Sequence, residues 1–175
     1  VNEFGKVVLV GGNVPRFDHD PTTRESKGLL IEESRTNIYK NNHNLQTTND
    51  HGGVTQTVNT TETTAPDGTF TATKIDITGG DQWTRFDRNN GLDNSTINNS
   101  DTFSTSIYMK TVGTSNVNVA IDFGDGGNTT YSVGQEWKRY AISNVHNDYG
   151  SFRFVDLVLQ GDIYIWGLQC ENGAF

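Results

Sequence analysis

From about residue 46 onward, apolar and polar side chains alternate in short runs separated by Gly, Asn and Asp. A half-buried antiparallel strand requires this period of two, because successive side chains point to opposite faces of the sheet. Phe103, Thr105, Ile107 and Met109 alternate with Ser104, Ser106, Tyr108 and Lys110, and Val117, Val119, Ile121 and Phe123 repeat the pattern. Ala65-Pro66-Asp67-Gly68 suits a type I turn, with proline presetting the second position and glycine at the fourth. A strand follows with Thr73, Ile75 and Ile77 on one face. Further strands are expected over residues 137–142, where Tyr140 and Ile142 share a face, and over residues 152–159 and 163–168. Within residues 152–159 the apolar register moves from Phe152 and Phe154 to Val155, Leu157 and Leu159, which predicts a β-bulge near Val155.

Residues 1–45 follow a different rule. A short apolar strand is expected at residues 7–10, ended by Gly11-Gly12. Beyond it lies a charge-mixed stretch with Pro15 and Pro21 around one apolar cluster, Gly28-Leu29-Leu30-Ile31, without helical periodicity. The division is therefore an extended N-terminal arm (1–45) and an all-β, antiparallel sandwich or barrel (46–175). The chain begins at Val1 without a methionine and ends at Phe175, and is read as a fragment of a longer polypeptide.

Composition agrees with strands and turns: 23 Thr, 19 Asn and 19 Gly stand against five Ala and eight Leu. The net charge of −8 and the lack of a Lys/Arg run disfavour nucleic acid and membrane surfaces as partners. No segment has the length and apolarity of a transmembrane helix or the design of a signal peptide. Cys170, the single cysteine, excludes an internal disulfide and is expected to be buried.

Several blocks carry a resemblance. Val14-Pro15-Arg16-Phe17-Asp18-His19-Asp20-Pro21, running on to Lys27-Gly28-Leu29-Leu30-Ile31-Glu32-Glu33-Ser34-Arg35-Thr36-Asn37, resembles an arm that recurs in virion proteins of tailed bacteriophages. In those proteins it precedes a jelly-roll domain of the carbohydrate-binding-module type. Ala65-Pro66-Asp67-Gly68-Thr69, Glu136-Trp137-Lys138-Arg139-Tyr140 and Ile163-Tyr164-Ile165-Trp166-Gly167-Leu168-Gln169 are similar to later blocks in the same order. The chain departs from the pattern at Cys170-Glu171-Asn172-Gly173-Ala174-Phe175, where such proteins usually carry a further strand-like segment.

The resemblance implies a jelly roll on the virion surface, in a tail fibre, a tail-associated protein or a head decoration. It also implies host-surface glycan as the conjectured ligand and a homotrimer as the first expectation for assembly. It names no saccharide. Arg16, Phe17, Asp18, Leu29, Leu30, Ile31 and Arg35 are the arm residues expected to contact other subunits or other virion proteins. The alternative is an arm tethered to its own sandwich.

Enzyme signatures are missing: there is no G-x-S-x-G, H-E-x-x-H, P-loop or G-x-G-x-x-G, and four scattered histidines lack ligand spacing. The expectation is a non-enzymatic module. Saccharide recognition needs an aromatic face beside planar polar groups. Asp81, Gln82, Trp83 and Arg85 supply the best local match, since strand alternation places Trp83 and Arg85 side by side. Tyr108, Tyr149 and Arg153 are candidates for a neighbouring face. The competing reading makes Trp83 a core aromatic and pairs its arginines with Asp81 and Asp87. Trp137 and Trp166, by contrast, are assigned to core packing.

Asp122, Asp125 and Asn128 offer oxygen ligands for calcium on a glycine-rich loop, although EF-hand spacing is lacking. The same loop reads first as a glycine-rich hairpin joining two strands, with calcium as the alternative. Three functions are thus set against one another: a glycan-binding adhesion module, a purely structural decoration or fibre-assembly domain, and a glycan depolymerase.

Overall fold

The computed structural model describes the chain except residues 1, 5, 7, 12–13, 21, 31–35, 41–44, 47–48, 51–52, 80–81, 88–100, 123–127, 146–153 and 174–175. The described residues contain no helix. Among the described residues twelve strands form: β1 (Phe17–His19), β2 (Ser26–Leu29), β3 (Asn49–Asp50), β4 (Val54–Thr57), β5 (Thr73–Ile77), β6 (Gln82–Asp87), β7 (Thr102–Thr111), β8 (Val117–Asp122), β9 (Asn128–Val133), β10 (Lys138–Val145), β11 (Phe154–Leu159) and β12 (Ile163–Asn172). They make a two-stranded arm hairpin, β1-β2, and two five-stranded sheets. Sheet I runs β10-β7-β12-β5-β4 and sheet II runs β3-β6-β11-β8-β9, with every pairing antiparallel.

The core is the alternation made solid. Phe103, Ile107 and Met109 from β7 face Val119 and Ile121 from β8, with Ile75, Phe86, Leu157, Leu159, Ile163 and Ile165 between them, all fully buried. Each such side chain contributes about 1.5–3 kcal/mol relative to leaving it in water. Tyr39 meets Phe86 edge to face, with ring centroids 5.8 Å apart. Along the side where β9 approaches β10, Tyr131 packs on Tyr140 at 5.1 Å, and the Tyr131 hydroxyl donates to the carbonyl of Ala141.

Three expectations change here. The arm does not reach residue 45, because Ile38, Tyr39 and Leu45 are buried in the sandwich core. Asn37 fixes the junction: its Oδ1 accepts from the Cys170 backbone N–H at 2.9 Å, and Ile38 N–H donates to Cys170 O at 2.7 Å. The strand expected at residues 7–10 is not formed among its described residues, and Leu9 is fully exposed. An apolar run without a sheet to pair with gains nothing from strand geometry.

The bulge expected near Val155 is not found among the described residues, since β11 pairs with β6 in unbroken register from Phe154 to Leu159. It lies instead in β12, where the register to β7 shifts between Trp166 and Gln169. Gly167 occupies the left-handed region there, with φ +63°, a conformation glycine adopts without steric cost. The extra residue returns Leu168 and Cys170 to the core after Trp166 has pointed outward.

Candidate functional site

The two sheets present very different outer faces. On sheet I, Tyr108, Lys110, Tyr164 and Trp166 point away from the core, and residues 59–72 close over Tyr164 and Trp166. The polar strap is pinned at several points. The Trp166 indole N–H donates to Thr71 Oγ1 at 3.0 Å, the Trp137 indole N–H to Thr64 O at 2.8 Å, and the Tyr164 hydroxyl to Glu62 Oε2 at 2.9 Å. Lys74 bridges Glu62 and Asp76, at 3.2 and 3.1 Å. The turn Ala65-Pro66-Asp67-Gly68 forms as expected, with Gly68 N–H donating to Ala65 O at 2.9 Å, and it lets Ala65 and Ala72 close over Trp166. Lys110 lies between the rings of Trp137 and Tyr164, 5.4 and 5.3 Å from their centroids. Trp137 and Trp166 are therefore not in the sandwich core, where they were expected: Trp166 is buried and Trp137 partly buried in a satellite cluster on the outer face of sheet I.

On sheet II no such roof exists among the described residues. Strand alternation in β6 sends Thr84 and Phe86 into the core and leaves Trp83 and Arg85 on the outer face, half-buried. The Arg85 guanidinium lies over the Trp83 ring, 4.9 Å from its centroid. Asp156 of β11, directly opposite Arg85 in the ladder, accepts from its Nε at 2.7 Å and its Nη2 at 2.9 Å. A bidentate pair of this kind fixes both the position and the plane of the guanidinium.

The same register continues across the sheet. Asn49, Arg85, Asp156, Asp122 and Asn128 form one row, and Trp83, Val158, Ala120 and Thr130 the next. With strands about 4.8 Å apart, the five-strand row spans about 19 Å. An aromatic and a planar cation thus stand at one side of a face whose neighbouring positions are Asp156, Asp122 and Asn128 in one row and Val158, Ala120 and Thr130 in the next.

Trp83 and Arg85 are brought together as expected, whereas Gln82 falls on the opposite face of β6, with Thr84 and Phe86, beside Gly53 and Gly79; Asp81, Tyr149 and Arg153 lie outside the described residues. Trp83 is not a core aromatic. Tyr108 is not its neighbour: it lies on the outer face of sheet I against Trp166, at 5.7 Å, on the opposite side of the sandwich. Burial pushes its phenol above the ordinary tyrosine range. Period-two alternation states that Tyr108 points outward but not from which sheet. Asp156 was missed because its partner lies 71 residues away.

Asp122 and Asn128 face each other as the closing pair of the β8-β9 hairpin, while Asp125 lies outside the described residues. Among the described residues no group of three or more His, Cys, Asp or Glu side chains is placed to hold a metal. A recess at one end of the sandwich, lined by Thr111, Gly113, Thr114, Ser115, Val117 and Asp162, contains no aromatic, and Asp162 already accepts from the Ile77 N–H at 2.8 Å.

In the arm, β1 and β2 set Phe17 opposite Leu29, both more than half exposed, while Asp18 pairs in register with Gly28. Leu30 N–H donates to Arg16 O at 2.8 Å. Ile31 and Arg35 lie outside the described residues.

No protein-family profile matches the chain. No curated protein sequence matches it either. Among solved structures it is similar to the CBM22-1 xylan-binding domain of Xyn10C from Paenibacillus barcinonensis, with 13% identity, 81% of this chain and 97% of that one covered, and a TM-score of 0.53. It is also similar to a carbohydrate-binding module, CBM29-2, solved with mannohexaose, at 17% identity, 81% and 93% coverage and a TM-score of 0.48. The enzymatically active domain of bacteriophage CBA120 tailspike protein 4 aligns with 14% identity over 73% of this chain and 18% of that one, at a TM-score of 0.44. The fold is an all-β jelly roll of the carbohydrate-binding-module kind.

Proposed function

We propose that this chain is a non-enzymatic adhesion module of a phage virion surface that holds host glycan on the outer face of sheet II. The observation that carries the reading is the Trp83–Arg85–Asp156 constellation. It joins a half-buried indole, a guanidinium held over it by a bidentate carboxylate, and a row of polar groups that continues through Asp156, Asp122 and Asn128. Sugar rings present an apolar face and a rim of hydroxyls, which is the chemistry such a surface complements. The virion setting is supported by the arm motif of residues 14–37. Repetition in an oligomer would raise avidity by about 10²–10⁴-fold over one shallow site.

The test is a glycan array probed with the oligomer-verified protein, in calcium and in chelator, beside Trp83→Ala. Saccharide-selective binding that disappears in the variant is expected. A well-folded protein that binds no saccharide favours a decoration or assembly role without a ligand site.

A specific observation favours assembly as a second role. Phe4, Val8, Leu9, Val14, Phe17 and Leu29 all lie on the arm and are 49–102% exposed, whereas among the described residues only Phe70 in the remainder is a comparably exposed large hydrophobic. Residues 1–30 carry four basic and four acidic side chains, so the charge of −8 resides entirely in residues 31–175. A neutral apolar arm can lie on the acidic sandwich of a second copy where two sandwiches would repel. Phe17→Ser with Leu29→Ser should lower the mass measured by light scattering from oligomer to monomer.

A further inference from the structure

The Trp83 platform holds one described cation in its charged row, and that cation is already engaged. Asp156 takes the Nε and Nη2 donors of Arg85, a complete bidentate edge of the guanidinium fork. A ligand carboxylate prefers this same two-pronged geometry. Asp156 is only 12% exposed at its side chain and Arg85 25%, so the pair is little screened by solvent. Directly across the ladder from Asp156 stands Asp122, on the same face. An anionic sugar laid on Trp83 would therefore meet two carboxylates in the row, and would have to displace one of them to reach Arg85.

We infer that Asp156 is a specificity-determining residue that restricts the Trp83–Arg85 platform to uncharged glycans and rejects uronic and sialic acids. The inference rests on the proposed glycan-binding function and deepens it. Neutral hydroxyls approach the platform without electrostatic cost, since a hydroxyl accepts from a guanidinium or donates to a carboxylate as required. A charged sugar meets like charge, which costs affinity against the wrong partner without adding any to the right one. Asp156 acts through Arg85 and need not touch the ligand.

The experiment compares neutral hexasaccharides (glucan, mannan and xylan) with uronic-acid hexasaccharides on intact wild type, Asp156→Asn and Asp156→Glu, by titration calorimetry at low and high salt. The wild type is expected to prefer a neutral hexasaccharide by at least about tenfold. Asp156→Asn, which removes the carboxylate from the Nε and Nη2 edge of Arg85, should bind uronate at least about tenfold better than wild type does, with an affinity that falls as salt rises. Asp156→Glu should restore the neutral preference. A purely structural Asp156 would weaken both ligand classes alike.

Uronate binding by wild type as tight as neutral binding, or an unchanged preference in folded Asp156→Asn, overturns the inference and leaves glycan binding standing. Wild type that binds neither class removes the proposed function itself, and this inference with it. If Asp156→Asn does not fold, the wild-type preference and its salt dependence decide: uronate affinity at or above the neutral level at low salt, lost at high salt, refutes the exclusion.

Discussion

The outer faces of the two sheets carry the same ingredients and put them to different ends. Each has a tryptophan and a cation over an aromatic ring, Lys110 with Trp137 and Tyr164 on sheet I and Arg85 with Trp83 on sheet II. On sheet I residues 59–72 lie over the aromatics and take up their N–H and O–H donors, so Trp166 keeps only 6% of its surface. On sheet II the indole is half-buried, and its cation is oriented by Asp156. Aromatic residues on a strand therefore do not by themselves mark a binding face; what lies above them decides.

The comparison can be broken most forcefully at Trp166. Trp166→Ala empties the cluster beneath the strap and should cost about 3–5 kcal/mol in chemical denaturation. Cys170 supplies an independent reading. Burial pushes its thiol up to about 12, so at pH 8 modification requires the core to open. The rate of thiol labelling should rise steeply in Trp166→Ala.

Gly167→Ala should cost about 1–3 kcal/mol in the same denaturation assay, since φ +63° strains a residue with a side chain. Trp83→Ala should cost less than about 1 kcal/mol and leave the labelling rate of Cys170 unchanged, because Trp83 lies on the outer face, away from the core that buries Cys170. Saccharide binding should nonetheless fall beyond detection in that variant.

The smallest effect concerns pH. The Tyr164 hydroxyl, and after it Lys74, hold the Glu62 carboxyl below the ordinary carboxylate range. A lowered folded-state pKa means that this contribution is present above the unfolded value, about 4.3, and fades as pH falls through the folded one. Melting scans between pH 6 and pH 3 should show a slightly shallower loss of stability in Glu62→Gln than in wild type.

Much of the sandwich was readable because alternation is a local signal. Phe103, Ile107 and Met109, and Val119 and Ile121, were placed on inward faces, and all are buried. The β12 bulge was hidden for a physical reason. Ile163, Tyr164, Ile165 and Trp166 are apolar on both faces, since the core lies on one side and the strap on the other, and a register shift leaves no trace in such a run. Pairing across sequence was equally invisible: Asp156 with Arg85, Asn37 with Cys170, and the separation of Tyr108 from Trp83 by the thickness of the sandwich. Trp83 and Arg85 were identifiable as neighbours, but not the carboxylate that orients them.

The position of β12 has a kinetic consequence. Although it follows the other described strands of its sheet in sequence, it lies at the centre of sheet I between β7 and β5, and its Cys170 backbone also bonds to Asn37 and Ile38. Sheet I cannot zip up progressively; β4 can pair with β5 and β7 with β10, but the two halves stay apart until β12 enters between them. Pairings of such long sequence separation slow folding into the millisecond-to-second range. The reverse route is equally obstructed, because extracting a central strand breaks two ladders at once. A fold closed by its final strand forms slowly and, once closed, is slow to come apart.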